Sequence, residues 1–353
     1  MYAFSLALLS ALLFGASTPA SKALLASFEP FQLAGLLYLG AALGMAPVVA
    51  LSRRTAASTR LDRANGLRLA GAVLFGGVVG PVLFLAALRL TLAGSVSLLL
   101  NLEMVATAVL GVLLFREHLG RAGWLGVAGV VAAGALVAGN GGWPGLVGAL
   151  LTAAACLCWA LDNHLTALVD GITPARSTLV KGVVAGATNL AIGFAVAPLV
   201  ATPAAIGAAL AVGAFSYGAS IALYIVSAHE LGATRAQAVF ASAPFLGAAL
   251  AVAFLDEPVG AVHVAAAAIL LPSIASLFLS QHAHVHVHVP VLHIHSHRHD
   301  DAHHLHEHPG ESPEHRHSHV HGHGRLEHAH PHWPDIHHRH GHSSQASSPL
   351  GPS

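Results

Sequence analysis

Ten successive runs of roughly 20 apolar residues, the length at which a helix spans bilayer hydrocarbon, leave the first 280 residues of this chain few folds to choose from. They lie near 2–26, 31–52, 66–88, 92–115, 121–139, 144–168, 175–199, 204–227, 232–255 and 259–280, each cut off by Pro, Gly or a charge. A soluble domain carries about 25% charged residues; here 9% of 353 residues are charged and 55% are hydrophobic. The shortage is sharper within the runs, because four of the 16 basic and seven of the 16 acidic residues lie beyond Gln281. Lipid offers the backbone no hydrogen bonds, so the runs are predicted to be helices of an all-α membrane protein. The opening MYAFSLALLSALLFGASTPAS has no basic start and continues to Lys22, which reads as a retained first helix rather than a cleaved signal.

Basic residues collect in short cytoplasmic loops. With the N-terminus inside, Arg53, Arg54, Arg60, Arg63, Arg68, Arg116, Arg121, Arg176, Lys181 and Arg235 fall on the cytoplasmic side and only Arg89 falls in an outer connection. The expectation is an integral protein of a bacterial inner membrane with both termini cytoplasmic. Thr91–Glu117 and Leu231–Glu257 follow one plan at an offset of 140 residues, with Ala93 matching Ala233 and Glu117 matching Glu257. Five helices per half is an odd number, so a duplicated half enters the membrane inverted. The chain is thus expected to form two inverted five-helix repeats, 1–140 and 141–280, followed by a histidine-rich tail, 281–353.

Three ordered segments carry a family likeness. FGASTPASK (Phe14–Lys22), LNLEMVATAVLGVLLFRE (Leu100–Glu117) and CWALDN (Cys158–Asn163) resemble the EamA branch of drug/metabolite transporters, over roughly 2–280. The resemblance implies a ten-helix secondary carrier that moves a small solute by rocking two halves about a midplane site. The chain departs from the family at Met104, where Pro is common, and keeps Pro244 at the matching place in the second half.

Ionisable groups within a membrane are costly and mark candidate sites. Thr18 and Lys22 share a helix face, and Pro19 removes a backbone donor and frees the Gly15 carbonyl; Lys22 either lines the pathway or snorkels to the interface. Asn101 and Glu103 stand about 200° apart on a helix, so one lines the pathway and the other braces a neighbour, with Lys22 the first partner to test for Glu103. Trp159, Asp162, Asn163 and His164 form the polar cluster of the second half, suited to proton coupling or placed where polar residues are cheap. Tyr217, Tyr224 and Gln237 could also line a central cavity or serve as interhelical glue. Lys181 and Arg235 read as orientation charges, and Cys156 and Cys158 as small buried thiols, since their spacing is not that of a redox or zinc pair.

Of the 28 histidines, 24 lie beyond Gln281, many at alternate positions. A segment this polar buries too little apolar surface to order itself, so the tail is expected to be disordered without ligand. His282, His284, His286, His288, His293, His295, His297, His299, His317, His319, His321, His323, His328, His330, His332, His337, His338, His340 and His342 offer chelating pairs for nickel, zinc, cobalt or copper. No cofactor is required. The expected partners are membrane lipid and a small-molecule or metal substrate, not nucleic acid, with a homodimer left open. No phosphate-cradling glycine loop or nucleophile–base pair points to an enzyme. Exporting a small solute is the leading reading; transition-metal efflux and a non-transporting metal sensor or store are the alternatives. The membrane part lacks the His-x-x-x-Asp spacing of a zinc carrier, which puts metal second as the substrate.

Overall fold

The computed structural model describes residues 2–52, 62–115, 119–140, 142–169, 172–231 and 239–279, and within the tail 282–288, 291–297, 317–323 and 326–332. Helices account for the membrane part. The first run is α1 (Tyr2–Gly15) and α2 (Ser17–Leu24), broken at Ala16, and the second is α3 (Pro30–Ser52). The third is α4 (Arg63–Ala72), a π-helical segment (Val73–Val79) and α5 (Gly80–Leu90). The fourth is α6 (Ala93–Leu99) and α7 (Leu102–Phe115), broken at Leu100–Asn101. Then come α8 (Arg121–Asn140), α9 (Gly142–Ala167) and α10 (Pro174–Val196). The eighth run is α11 (Pro203–Val212), a second π-helical segment (Gly213–Ala219) and α12 (Ser220–Leu231), and the chain continues to α13 (Ala243–Leu255) and α14 (Ala261–Leu279).

Eight of these stretches are long and apolar enough to cross a membrane among the described residues, while α13 and α14 are apolar but shorter. Local chemistry sets the ends. Asp62, Thr173 and Thr202 each accept a hydrogen bond from the backbone N–H three residues on, satisfying an otherwise orphaned donor. Pro174 and Pro203 follow in the first turn, where a missing N–H costs nothing.

Element boundaries recur at the same 140-residue offset as the sequence echo. The π-helical segments begin at Val73 and Gly213, the helices after them at Gly80 and Ser220, α7 and α13 end at Phe115 and Leu255, and α8 and α14 begin at Arg121 and Ala261. Contacts of Lys22 with Thr91, Arg89 with Glu29, Gln32 with Ala197, Gly148 with Thr91 and Glu257 with Ala93 gather the short connections after Leu24, Leu90, Asn140, Val196 and Leu255 at one end of the bundle, called here the Leu90 end.

The first helices pack mainly on later ones. Helix α3 meets the end of α11 and the second π-helical segment backbone to backbone: a Cβ at Gly40 would collide with the Leu210 carbonyl, and one at Gly213 with the Leu37 carbonyl. Between α1 and α12, Ser10 Oγ donates to the Ser220 carbonyl at 2.7 Å and Ser220 Oγ to the Ser10 carbonyl at 3.0 Å. The outer surface is oily, with Leu51 at 81%, Trp143 at 75% and Phe254 at 76% exposure. In water such a surface would drive aggregation; against acyl chains it costs nothing.

The tail's described residues are four strands, β1 (His282–His288), β2 (Val291–His297), β3 (His317–His323) and β4 (Leu326–His332). They pair antiparallel as two separate ribbons, β1 with β4 and β2 with β3. The period-two repeat that suggested chelating pairs is also the period of a strand, so one pattern carries both readings. His299, His337, His338, His340 and His342 lie outside the described residues.

Candidate functional site

A π-helical turn winds one residue wider than an α-helix and leaves carbonyls without their usual intrahelical donor. In Val73–Val79 those of Gly76 and Gly77 are met by side chains from three other helices. Tyr38 Oη of α3 donates to the Gly76 carbonyl at 2.5 Å, Trp159 Nε1 of α9 to the same oxygen at 3.2 Å, and Asn189 Nδ2 of α10 to the Gly77 carbonyl at 2.9 Å. Gly76 must lack a side chain, because a Cβ there would overlap the Asp162 carboxyl group.

Asp162 is held by a partner from α10. Lys181 Nζ donates to its two oxygens at 2.5 and 2.6 Å, and Thr166 Oγ1 adds a bond at 2.9 Å. The Asp162 and Lys181 side chains are only 11% and 16% exposed. A carboxylate buried in a membrane helix is costly unless it is paired, and Lys181 supplies the opposite charge. Around it runs a chain of rings: Tyr38 with Tyr217 (6.0 Å), Tyr217 with Phe14 (5.9 Å), Phe14 with Phe240 (5.3 Å) and Phe240 with Tyr224 (5.2 Å). Phe84 packs on Trp159 at 5.7 Å.

The other expected residues divide between this cluster and its surroundings. Asn163 Nδ2 donates to Glu103 at 2.9 Å and His164 Nε2 meets the Thr107 carbonyl at 3.0 Å, strapping α7 to α9. Asn101 is 1% exposed, donates to the Leu98 carbonyl at 2.9 Å and leaves its Oδ1 without a partner among the described residues. Thr18 is buried. Lys22 does not reach Glu103: its Nζ donates to the carbonyls of Leu88 and, at 2.9 Å, Thr91, at the Leu90 end of the bundle. In this geometry an ammonium caps the last carbonyls of α5 at one end of the bundle. Gln237 lies outside the described residues.

Lys181 and Tyr38 are the residues that sequence reasoning missed. Lys181 stands seven residues beyond Pro174, roughly 10 Å into its helix at 1.5 Å per residue, too deep for a loop charge. That depth was the available signal. Tyr38 had none, since its role depends on a carbonyl freed by a π-turn.

The family's sequence profile matches residues 1–139 and again 146–279. The chain belongs to the EamA-like transporter family. An uncharacterized transporter from Methanothermobacter thermautotrophicus is 27% identical over 288 residues, covering 75% of this chain and 82% of that one. One solved crystal structure superposes with a TM-score of 0.58 at 17% identity, covering 78% of this chain and 97% of the other, which supports the fold alone. This EamA-family protein is accordingly an integral membrane transporter of small solutes.

Proposed function

We propose that this EamA-family protein is a secondary exporter working by alternating access, with ten crossings arranged as two inverted halves, 1–140 and 141–280. The basic-residue bias supports cytoplasmic termini, in a bacterial inner membrane, which puts the Leu90 end outside. The observation that carries the reading is the Asp162–Lys181 pair beside the side-chain-capped π-turn: charge and irregular backbone at membrane depth belong where they line a pathway.

The tail is proposed to bind a transition-metal ion and to regulate or load the carrier. Its strand register supports this by placing histidine opposite histidine, as in His284 with His330 and His295 with His319. That register also favours the second reading, direct metal efflux. Against it, the carboxylate of the central cluster is already bound by Lys181.

Full-length protein and protein ending at Gln281 are to be compared in vesicles. Solute flux is expected to persist without the tail and to lose its response to added Ni²⁺ or Zn²⁺. Metal flux that vanishes with the tail would instead establish the efflux reading. Tight metal binding with no flux of any solute tested would sink the carrier.

Glu103→Gln keeps an acceptor for Asn163, so thermal unfolding in detergent is expected to stay within about 0.5 kcal/mol of the parent. If Glu103 couples transport to protons, flux driven by an imposed proton gradient falls roughly tenfold. Unchanged proton-driven flux would leave Glu103 as a brace between α7 and α9.

A further inference from the structure

Glu257 lies two residues past the end of α13, at the Leu90 end, and is 9% exposed. Asp256 before it takes a left-handed conformation, φ 51°, which a non-glycine residue adopts only when its surroundings hold it there. That turn aims the Glu257 carboxylate inward. Oε1 accepts from the Ala93 N–H at 2.7 Å and Oε2 from the Gly94 N–H at 2.8 Å. Both donors belong to the first turn of α6, where no intrahelical carbonyl is available to them. A Cβ at Gly94 would lie 3.2 Å from Oε2, so the carboxylate would have to shift by a few tenths of an ångström to admit one.

On the other side of the same connection Lys22 holds the carbonyls of Leu88 and Thr91. The stretch Leu88–Gly94 is thus held by an ammonium on its carbonyl side and a carboxylate on its N–H side. The carboxylate comes from the second family-matched stretch and the donors from the first. Beside it lies a pocket of about 290 Å³, bordered by Gly94, Phe245, Ala248, Glu257 and His263.

We infer that Glu257 is a positioning residue for transport, the latch that closes the outer end by fastening the second half to the start of α6. The inference rests on the carrier reading. Opening outward requires α6 and α13 to part, and the two charge-assisted bonds of Glu257 must break as they do. With the latch made, Ser97, one turn inward on α6, is fully buried against Gly247 of α13.

The test reads accessibility rather than flux. Ser97→Cys is placed in a background with Cys156→Ser and Cys158→Ser, and labelled with a membrane-impermeant maleimide in vesicles of both orientations. The parent is expected to label slowly from the face bearing the Leu90 end. Glu257→Ala, which removes both bonds, is expected to label at least tenfold faster from that face, the ratio for losing one charge-assisted hydrogen bond, and Gly94→Ala, which displaces the carboxylate, by a smaller factor above about twofold. Glu257→Asp, too short to reach both donors, is expected between the parent and Glu257→Ala. Where Glu257→Ala does not elute as a single symmetric peak, Glu257→Gln and Gly94→Ala decide. Rates within twofold of the parent in well-folded Glu257 and Gly94 variants would overturn the latch. Faster labelling in a protein that carries no solute would leave the latch standing and remove the carrier reading instead.

Discussion

Lys181→Met is expected to cost about 3–5 kcal/mol of stability and to abolish transport, because it leaves the Asp162 carboxylate buried without its cation. Asp162→Asn should cost a similar amount by stranding the ammonium. The double variant separates structure from function. Replacing both members of a buried ion pair by neutral groups is often close to neutral for stability, so Asp162→Asn/Lys181→Met should recover most of the unfolding midpoint in detergent. If the pair serves transport, flux stays lost even so. Flux recovering together with stability would show that the pair only holds α9 against α10, and the proposed pathway would have to be sought elsewhere.

Gly76→Ala is the second large effect. The added methyl would occupy the space of the Asp162 carboxyl, so either the carboxylate leaves Lys181 or the π-turn moves away from Tyr38 and Trp159. Either way a group at the centre of the bundle loses its partner, at about 1–3 kcal/mol for an unsatisfied buried polar atom and more for the charge. The expected result is an unfolding midpoint well below the parent's and no measurable flux. Gly139→Ala is the control: nothing lies within 4 Å of its Cβ position, and alanine in a helix is favoured over glycine by about 0.5–1 kcal/mol. A silent Gly76→Ala would mean that Asp162 can leave its place on the π-turn freely, and the cluster would lose its claim to be a built site.

The helical fold was legible because lipid imposes one rule on every crossing. Apolar length, broken by Pro, Gly or charge, placed the boundaries of α3, α8 and α10 within a few residues. The 140-residue echo, read from Ala93 and Glu117, reappears in the two π-helical segments, which no composition or period could have shown. The site was half legible. Trp159, Asp162 and Asn163 stood out as polar groups in an oily run; Trp159 and Asp162 both meet Gly76 of the π-turn, and Asn163 reaches Glu103 instead. Their partners did not stand out, because Lys181 resembles any loop cation until its depth in the helix is counted, and Gly76 resembles any packing glycine. Glu257 read as a stop signal. Its reach to Ala93 spans 164 residues and depends on one left-handed turn at Asp256.

The reciprocal hydroxyl bonds between Ser10 and Ser220 also constrain how the protein is made. The first helix leaves the ribosome more than 200 residues before its partner exists, and Gly40 of α3 precedes the backbone of Leu210 by 170 residues. Until then the early helices must lodge in the bilayer with serine hydroxyls and glycine grooves unfilled, held by the insertion machinery or by lipid. A nascent chain stalled after α8 should therefore be a poor folding unit, sensitive to protease and to quality control, and supplying residues 141–353 as a separate polypeptide should rescue it.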